Sequence, residues 1–322
     1  MTTESTLVLP AQEIPTWVRP PFWRRDIAFG IDGFVLGAIV GLLALVAPTA
    51  ARALGPWGRW AGGAIGVLYF GFAGSARFQG RSIGKRVCGI AVVRRDGTYL
   101  PLGASMLRAV VLMLPLTCET DMFLTGRITA VLQGVIVFGI GGVSLYLFIA
   151  NRATRQTLHD LAVGSLVLRR EQIPAAAAAP RVWRGHAAIA AVLLALVLGG
   201  PFLLVHAMLG GRNFAAMIAI GEEARAKTGF DVGVQEQMIR LPNRPTRRSL
   251  SMTMMTWTPA KNPEALAHTL AAIAARHYDL GRIENADVVI VSGFDLLFAQ
   301  SVSAKSYPFS HGELLQMARS RQ

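Results

Sequence analysis

The sequence predicts an α-helical integral membrane protein with about five transmembrane helices and a small soluble α+β domain towards its C-terminal end. Two observations lead to this fold class. Of the 322 residues, 52% are hydrophobic and 16% are charged, whereas about 25% charged residues is usual in soluble proteins. The apolar residues also form long runs before residue 210, while residues 210–322 hold 13 Lys or Arg and 10 Asp or Glu and contain no such run.

The first apolar run, residues 27–46, carries one charged side chain, Asp32. Twenty helical residues span about 30 Å of hydrocarbon. A carboxylate within such a helix costs about 2.5–3.5 kcal/mol on insertion scales, so it usually faces a partner or water rather than lipid. Arg25 lies on the same helical face two turns earlier. Arg25 and other polar groups are therefore candidates to hold Asp32 ionised.

A cleaved signal peptide is the alternative interpretation of this first run. The apolar region of a signal peptide normally has about 7–15 residues and no central acid. The length of residues 27–46 and the presence of Asp32 therefore favour a retained transmembrane helix.

Four later runs complete the expected membrane part, and they cover residues 57–75, 104–118, 128–150 and 186–209. Glycines recur every four residues in the first two spans, at Gly33, Gly37 and Gly41 and at Gly58, Gly62 and Gly66. Small residues at this spacing allow helices to approach closely, so the two spans are expected to pack on each other. Residues 104–118 are short for a span, and Arg108 within them is expected to reach the membrane interface.

Two short segments between the spans share one pattern. GIAVVRR, residues 89–95, and GSLVLRR, residues 164–170, each have a glycine, mostly apolar residues and two arginines. Short apolar runs are ambiguous, but the repetition favours two β-strands that pair at one membrane face over two unrelated runs. Residues 95–98 predict a turn after the first strand.

Charge distribution predicts the topology. Basic residues concentrate in two clusters, residues 77–95 and 152–184, and such clusters usually lie in the cytoplasm. Five spans place both clusters there, the N-terminus inside and residues 210–322 outside the cell (inner) membrane. Four spans would put the clusters on opposite faces. The net charge of +13 is explained by these loops, and no recognition motif indicates nucleic acid.

The expected organisation has five parts. They are a disordered cytoplasmic tail (1–21), a membrane domain (22–170), an Ala/Pro linker (171–185), a transmembrane helix (186–209) and an extracytoplasmic α+β domain (210–322). In the last part, the sequence predicts helices at 214–228, 262–277 and 311–319 and strands at 248–257 and 287–292. Asn262 caps the middle helix, with Pro263 in its first turn. Met252 and Met254 lie on the same face of a strand, and we expect them to belong to the hydrophobic core rather than to bind a metal.

The sequence offers no motif for catalysis. Zinc spacing, a Walker loop, a dinucleotide fingerprint and a G-x-S-x-G elbow are missing, so neither an enzyme nor a cofactor is expected. Cys88 and Cys118 give no disulfide framework. The candidate binding residues are Arg25, Asp32 and Asp160.

Several of these features together resemble the RDD family of membrane proteins. They are Arg25 with Asp32, the stretch QGRSIGKRVCGIAVVRRDG (79–97), Arg108, and TLHDLAVGSLVLRR (157–170). The family is named for one arginine and two aspartates, which here correspond to Arg25, Asp32 and Asp160. Ser82 stands where a threonine is expected, and the hydroxyl is retained. The resemblance implies a membrane fold and, since cation/proton exchange has been suggested for some members, transport.

Two functions are compatible with these residues. The first is transport of an ion or small solute that uses Asp32 and Asp160 as charged sites, with a homo-oligomer forming the pore because five spans make a small protomer. The second is membrane assembly or sensing, in which the outer domain binds an extracytoplasmic partner and the Arg and Asp residues hold helices together. Asp160 beside the basic surface is also a candidate to cap a helix or to bond Arg155.

Overall fold

A computed structural model describes residues 22–118, 132–209, 212–239 and 247–319. The tail of residues 1–21, and Glu119 and Asp121, lie outside these ranges. The chain divides into two compact units. The first unit comprises residues 1–32, 69–109 and 144–187, and the second comprises residues 33–68, 110–143 and 188–322. The long apolar helices contribute residues to both units.

The part before residue 210 is helical. Its helices are α1 (Trp23–Val46), α2 (Pro48–Ala53), α3 (Gly58–Ala73), α4 (Ile83–Val87), α5 (Leu102–Thr117), α6 (Leu132–Ala150), α7 (Leu158–Ala162) and α8 (Gly185–Leu209). Within the described residues, α1 and α6 are long and apolar enough to cross a membrane, and α5 and the Gly185–Val197 part of α8 are apolar but shorter. The described part thus contains two candidate membrane spans, and the crossing of all five spans stays a prediction.

Helix α1 has an apolar outer surface. Phe34 and Leu45 are 80% and 79% exposed, whereas Leu36 and Val40 are buried. A helix that is apolar on its exposed side as well as its buried side is typical of a membrane span.

A two-stranded antiparallel sheet organises the first unit. Strand β1 (Ile90–Arg94) pairs with β2 (Ser165–Arg169), with Val92 opposite Val167, so the predicted pairing of the two strands is confirmed. One cluster of buried side chains consists of Ala28, Ile90, Val92, Leu100 and Val167. The turn after β1 also forms as expected, since Gly97 has a φ of +80° and the Asp96 carboxylate accepts hydrogen bonds from Thr98.

The stretch expected to be a linker is packed structure instead. Arg170–Ala178 forms a 3₁₀-helical run, and Ala176 is fully buried beside Val93 and Leu168. The small alanine side chains allow the backbone to lie close to the sheet. Arg95 fastens the end of the run by donating to the carbonyl oxygens of Ala179 and Pro180 at 2.8 and 3.0 Å.

The C-terminal region contains a four-stranded sheet in the order β3 (Val232–Ile239), β4 (Arg247–Thr256), β5 (Asn285–Asp295) and β6 (Gln300–Ser310). β4 and β5 are parallel, and the other pairs are antiparallel. Helices α9 (Arg212–Thr228), α10 (Pro263–His277) and α11 (His311–Arg319) contribute buried side chains to the same core. Met252 and Met254 are fully buried in that core, and Asn262 caps α10 by accepting from the Ala265 amide, as the sequence predicts.

The tip between β5 and β6, residues 295–299, packs within the second unit against the glycines of α1 and α3. A Cβ on Gly62 would lie 1.9 Å from the Leu296 carbonyl oxygen, and one on Gly58 would lie 2.6 Å from that of Asp295. A Cβ on Gly37 would lie 3.1 Å from the Phe298 carbonyl oxygen. The expectation that the two glycine stripes pack on each other is therefore wrong at these positions, because the hairpin tip occupies the space that the missing side chains leave.

Arg59 at the start of α3 holds the hairpin tip by charge. Its Nη1 lies 2.8 Å from Asp295 Oδ2, and both side chains are nearly buried. The same guanidinium donates to the carbonyl oxygens of Leu116 and Thr117 at the end of α5. These carbonyls are among the last four of the helix and have no intrahelical partner.

Candidate functional site: two buried carboxylates

The first carboxylate, Asp160, belongs to the N-terminus of the short helix α7. Thr157 caps this helix, and the two residues form a capping box in which Asp160 accepts from the Thr157 amide and hydroxyl at 3.3 and 3.0 Å. Ser165 Oγ lies 3.2 Å from the other carboxylate oxygen. The capping role considered for Asp160 is thereby confirmed, and it explains why a T-x-x-D sequence starts the helix.

Two arginines from different helices converge on Asp160. Arg25 Nη2 of α1 lies 2.7 Å from Oδ2, and Arg108 of α5 approaches Oδ1 with Nε at 3.0 Å and Nη2 at 2.8 Å. All three side chains are buried or nearly so. Burial opposes ionisation, but Arg108 and Arg25 outweigh it and hold the pKa of Asp160 well below its usual range. Asp160 is therefore a permanent anion that joins α1, α5 and α7.

Neighbouring His159 is buried and bonded to the hydroxyl of Thr157 at 2.8 Å. Burial lowers the pKa of His159 to about 3, against the attraction of Asp160 and together with the repulsion of Arg108. At neutral pH the imidazole is uncharged, and it takes no part in the ion pairs.

The second carboxylate, Asp32, lies at 0% exposure in α1. Its Oδ1 accepts from the Tyr69 hydroxyl of α3 and from the Gly84 amide, both at 2.7 Å, and its Oδ2 accepts from the Ser82 hydroxyl at 2.5 Å. The pairing considered between Arg25 and Asp32 is not formed, because two turns of helix separate them and the guanidinium reaches Asp160. Every hydrogen-bond donor that the described residues supply to Asp32 is neutral.

Gly84 lets the chain approach Asp32 closely. A Cβ at this position would lie 2.0 Å from the Ala28 carbonyl oxygen of α1. The glycine of the S-I-G-K stretch therefore brings the first turn of α4 against α1, and its amide reaches the carboxylate.

Lys85 is joined to the Asp32 site through the Ser82 hydroxyl group. Its Nζ donates to Ser82 Oγ at 3.2 Å and lies 5.4 Å from the centre of the Phe70 ring. Burial, followed by repulsion from Arg108, lowers the pKa of Lys85 to about 8, and the attraction of Asp32 only partly opposes this. Lys85 Nζ, Ser82 Oγ and Asp32 Oδ2 thus form a continuous hydrogen-bonded chain.

The sequence reasoning identified Arg25, Asp32 and Asp160 but missed the partners of both carboxylates. Arg108, which is expected to reach the membrane interface, is 4% exposed and is paired with Asp160. An arginine inside an apolar helix was the available signal, since such a charge normally pairs. Ser82 and Lys85 lie in the recognised basic stretch, but nothing in their spacing indicates that they reach α1.

The described residues contain no group of three or more His, Cys, Asp or Glu side chains able to hold a metal ion. Cys88 is partly buried and Cys118 is buried. The groups around the two carboxylates can form hydrogen bonds and ion pairs and can pass protons.

Comparison with known proteins finds similarity in this region. Residues 19–164 match the model of the RDD family, in agreement with the motifs, and the matched segment contains Arg25, Asp32 and Asp160. One relative is the uncharacterized protein YckC of Bacillus subtilis (strain 168), which is 34% identical over 90 residues, covering 28% of this chain and 48% of that protein. The chain thus matches about half the length of this relative. No solved structure matches the chain.

Proposed function

We propose that the domain that matches the RDD family moves an ion or small solute across the membrane in exchange for protons, and that Asp32 carries the exchanged charge. The observation that supports this most is the environment of Asp32, a fully buried carboxylate in a candidate span whose described donors are all neutral. A buried charge without an ionic partner is costly, and such acids usually mark ion or proton pathways.

The hydrogen bonds around Asp32 suit a carboxyl group that changes protonation state. Oδ1 accepts from Tyr69 and Gly84, and it remains an acceptor when the acid is protonated. Oδ2 meets the Ser82 hydroxyl, which both donates and accepts. The neutral acid and the carboxylate can therefore both be bonded in this site after a rotation of one hydroxyl group.

Lys85 supplies the exchangeable proton. In a concerted step, Ser82 passes its hydroxyl proton to Asp32 Oδ2 while Lys85 passes one ammonium proton to Ser82 Oγ. The Lys85 ammonium group and the Asp32 carboxylate become a neutral amine and a neutral acid, the serine is regenerated, and the number of protons is unchanged. Loss of charge from both groups lowers the cost of burying them.

Asp160 has a positioning role in this proposal. Two guanidinium groups and the Thr157 cap hold it ionised, so it is a poor proton acceptor. It fixes Arg25 and Arg108, whose positive charges face Lys85 and favour release of the Lys85 proton.

The five-span topology is part of the proposal. The β5–β6 tip packs against Gly37 and Gly41 in the C-terminal half of α1 and against Gly58 and Gly62 in the N-terminal half of α3. The short connection between these halves is the loop that the charge distribution assigns to the outer side. This contact supports an extracytoplasmic position for the C-terminal region.

Reconstitution tests the transport proposal. Purified protein in vesicles with an internal pH-sensitive dye is exposed in turn to Na⁺, K⁺ and Li⁺ gradients. Wild type and Ser82→Thr, which keep the hydroxyl group, are expected to change the internal pH, and Asp32→Asn and Ser82→Ala are expected to lose at least about 90% of the rate. Thermal unfolding establishes that each variant is folded.

Two results would contradict the proposal. One is a wild-type protein that leaves the internal pH unchanged under every imposed gradient. The other is a folded Asp32→Asn variant that retains the wild-type rate, which would remove Asp32 from the pathway.

Sensing or assembly is the second candidate, and the hairpin contact favours it. The Arg59–Asp295 ion pair joins the sheet region to α3, so a partner bound by the sheet can act on the membrane helices. Under this alternative a photo-crosslinker at the exposed positions Met238 or Val302 captures an extracytoplasmic partner, a crosslinker at Asp96 does not, and the vesicles show no proton-coupled flux.

A further inference from the structure

A cavity of about 400 Å³ lies in the first unit where α6 ends and α8 begins. It is formed by residues 150–153 on one side and by Pro180, Arg181, Trp183 and His186 on the other. The site has no overlap with the residues that surround Asp32 and Asp160. Its side chains and its position indicate what it binds.

Two exposed arginines give the cavity a positive charge. In the described structure the guanidinium groups of Arg152 and Arg181 have no acidic partner and no hydrogen bond, and no Asp or Glu lines the cavity. The arginines of the interior, Arg25, Arg59 and Arg108, are all paired. Two free guanidinium groups beside one cavity attract an anion, and their planar forks match phosphate oxygens.

His186 adds an oriented donor. Its Nδ1 lies 2.8 Å from the Tyr146 hydroxyl, and the Trp183 ring packs edge-on at 5.3 Å between ring centres. In the tautomer whose Nδ1 accepts from the tyrosine hydroxyl, Nε2 carries a proton and can donate it to an anion. The cavity therefore combines two guanidinium groups with an imidazole that can donate a hydrogen bond.

The ends of two apolar helices beside the cavity favour a position at the depth of the lipid headgroups. Ala150 ends the apolar helix α6, and Gly185 begins the apolar helix α8. Trp183 is 66% exposed, and exposed tryptophans are typical of the membrane–water interface. Basic pockets at the ends of membrane helices on the cytoplasmic side bind anionic lipid headgroups.

We propose that this cavity binds a phosphate group, presented by an anionic lipid headgroup at the membrane surface. The phosphate oxygens lie between Arg152 and Arg181, His186 Nε2 donates to one of them, and Trp183 lies among the headgroups. A headgroup bound in this way holds the end of α6, the chain that follows the 3₁₀-helical run Arg170–Ala178, and the start of α8 at the lipid surface. The site uses none of the groups assigned to proton exchange, and it rests on the membrane topology that belongs to the proposed function.

Binding to detergent-solubilised full-length protein tests the site. The probes are short-chain phosphatidylglycerol, short-chain phosphatidylcholine and inorganic phosphate, and native mass spectrometry measures their dissociation constants. The double variant Arg152→Gln/Arg181→Gln is expected to weaken phosphatidylglycerol binding by at least about tenfold, as the loss of charge-assisted hydrogen bonds predicts. The matched control is Arg77→Gln/Arg86→Gln, which removes the same charge from exposed arginines elsewhere and is expected to change binding less than about twofold.

The outcomes separate the sources of the phosphate. Phosphatidylglycerol binding that exceeds phosphatidylcholine binding and depends on Arg152 and Arg181 supports the lipid site, while tight binding of inorganic phosphate with the same dependence supports the phosphate site and replaces the lipid by a soluble ligand. The variant Arg152→Lys/Arg181→Lys keeps the positive charge but loses the planar guanidinium groups, and it is expected to bind phosphatidylglycerol with intermediate affinity. Equal binding of both lipids, or equal losses in the two double Gln variants, would overturn the proposal.

Discussion

Asp32 and Asp160 are both fully buried, but their partners differ in charge. Asp160 is neutralised by Arg25 and Arg108, whereas the described groups that bond Asp32 are two hydroxyl groups and one amide. A carboxylate held by two guanidinium groups is locked in one protonation state. This difference is the reason that we propose a positioning role for Asp160 and proton exchange for Asp32.

Replacement of Asp160 by Asn is expected to destabilise the folded protein by about 3–5 kcal/mol, because it leaves two buried guanidinium groups without a counter-charge. Adding Arg25→Gln removes one of these charges and should restore part of the loss. Thermal unfolding in detergent measures both, with Asp96→Asn at the exposed turn as the control. An Asp160→Asn variant as stable as that control would show that the ion pairs contribute little.

The same argument predicts that Arg25→Gln does not rescue Asp32→Asn. The two side chains are not partners, so their effects on stability should add to within about 0.5 kcal/mol. A clear rescue in a double-mutant cycle would indicate that Arg25 stabilises Asp32 rather than Asp160.

Lys85 predicts a pH dependence of stability. Below about pH 8, Lys85 is protonated in both the folded and the unfolded states. In the folded state, Arg25 and Arg108 repel its positive charge, and the attraction of Asp32 and Asp160 offsets only part of the cost of burial and repulsion. Between pH 8 and the ordinary lysine pKa of 10.5, the unfolded chain binds more protons than the folded chain, so the stability that this group contributes rises with pH. The melting-temperature difference between wild type and Lys85→Met should shift in favour of wild type over this range, and a constant difference would contradict the lowered pKa.

At the scale of elements, the glycine stripes of α1 and α3 pack against the β5–β6 tip, whereas their spacing suggests that they pack against each other. The hairpin tip supplies backbone carbonyls rather than a helix surface, so it needs positions without a Cβ. Leu297 in the tip has a φ of +67°, a left-handed conformation that is uncommon for a non-glycine residue. A tight turn thus inserts where side chains are missing.

Gly62→Ala is expected to lower the melting temperature of the full-length protein, because its Cβ would lie 1.9 Å from the Leu296 carbonyl oxygen. The matched control, Gly33→Ala on α1, meets nothing within 4 Å and should be neutral or stabilise by up to about 1 kcal/mol through helix propensity. Hydrogen exchange at residues 295–299 should rise in Gly62→Ala alone. Equal behaviour of the two variants would mean that the tip is not held by this glycine.

At the scale of the whole molecule, the charge distribution predicts the orientation in the membrane. A reporter that is active only in the cytoplasm should stay silent when fused after Gln322 and should be active when inserted beside Asp96. The physical reason is the concentration of basic residues in 77–95 and 152–184, which favours retention on the cytoplasmic side. A strong cytoplasmic signal after Gln322 would rule out the five-span arrangement.

Features governed by local sequence were predicted well. The β1–β2 segments, the Asp96–Gly97 turn, the Asn262 cap and the helix that follows it depend on patterns within a few residues. Strands β3 and β6 were missed because VGVQEQMI and QSVSAKSYPFS contain many polar residues. Their strand conformation depends on pairing with β4 and β5, which lie elsewhere in the sequence.

The sequence by itself determined that an apolar helical part carries a buried acid, that basic loops flank it, and that an α+β region follows. Each of these follows from composition and short periodicity, which act along the chain. Only the tertiary structure decided that Arg25 and Arg108 meet Asp160, that Ser82, Gly84 and Tyr69 surround Asp32, and that a hairpin tip fills the glycine stripes. Those contacts join residues from 37 to 261 positions apart, and no local pattern indicates which of these residues lie next to each other.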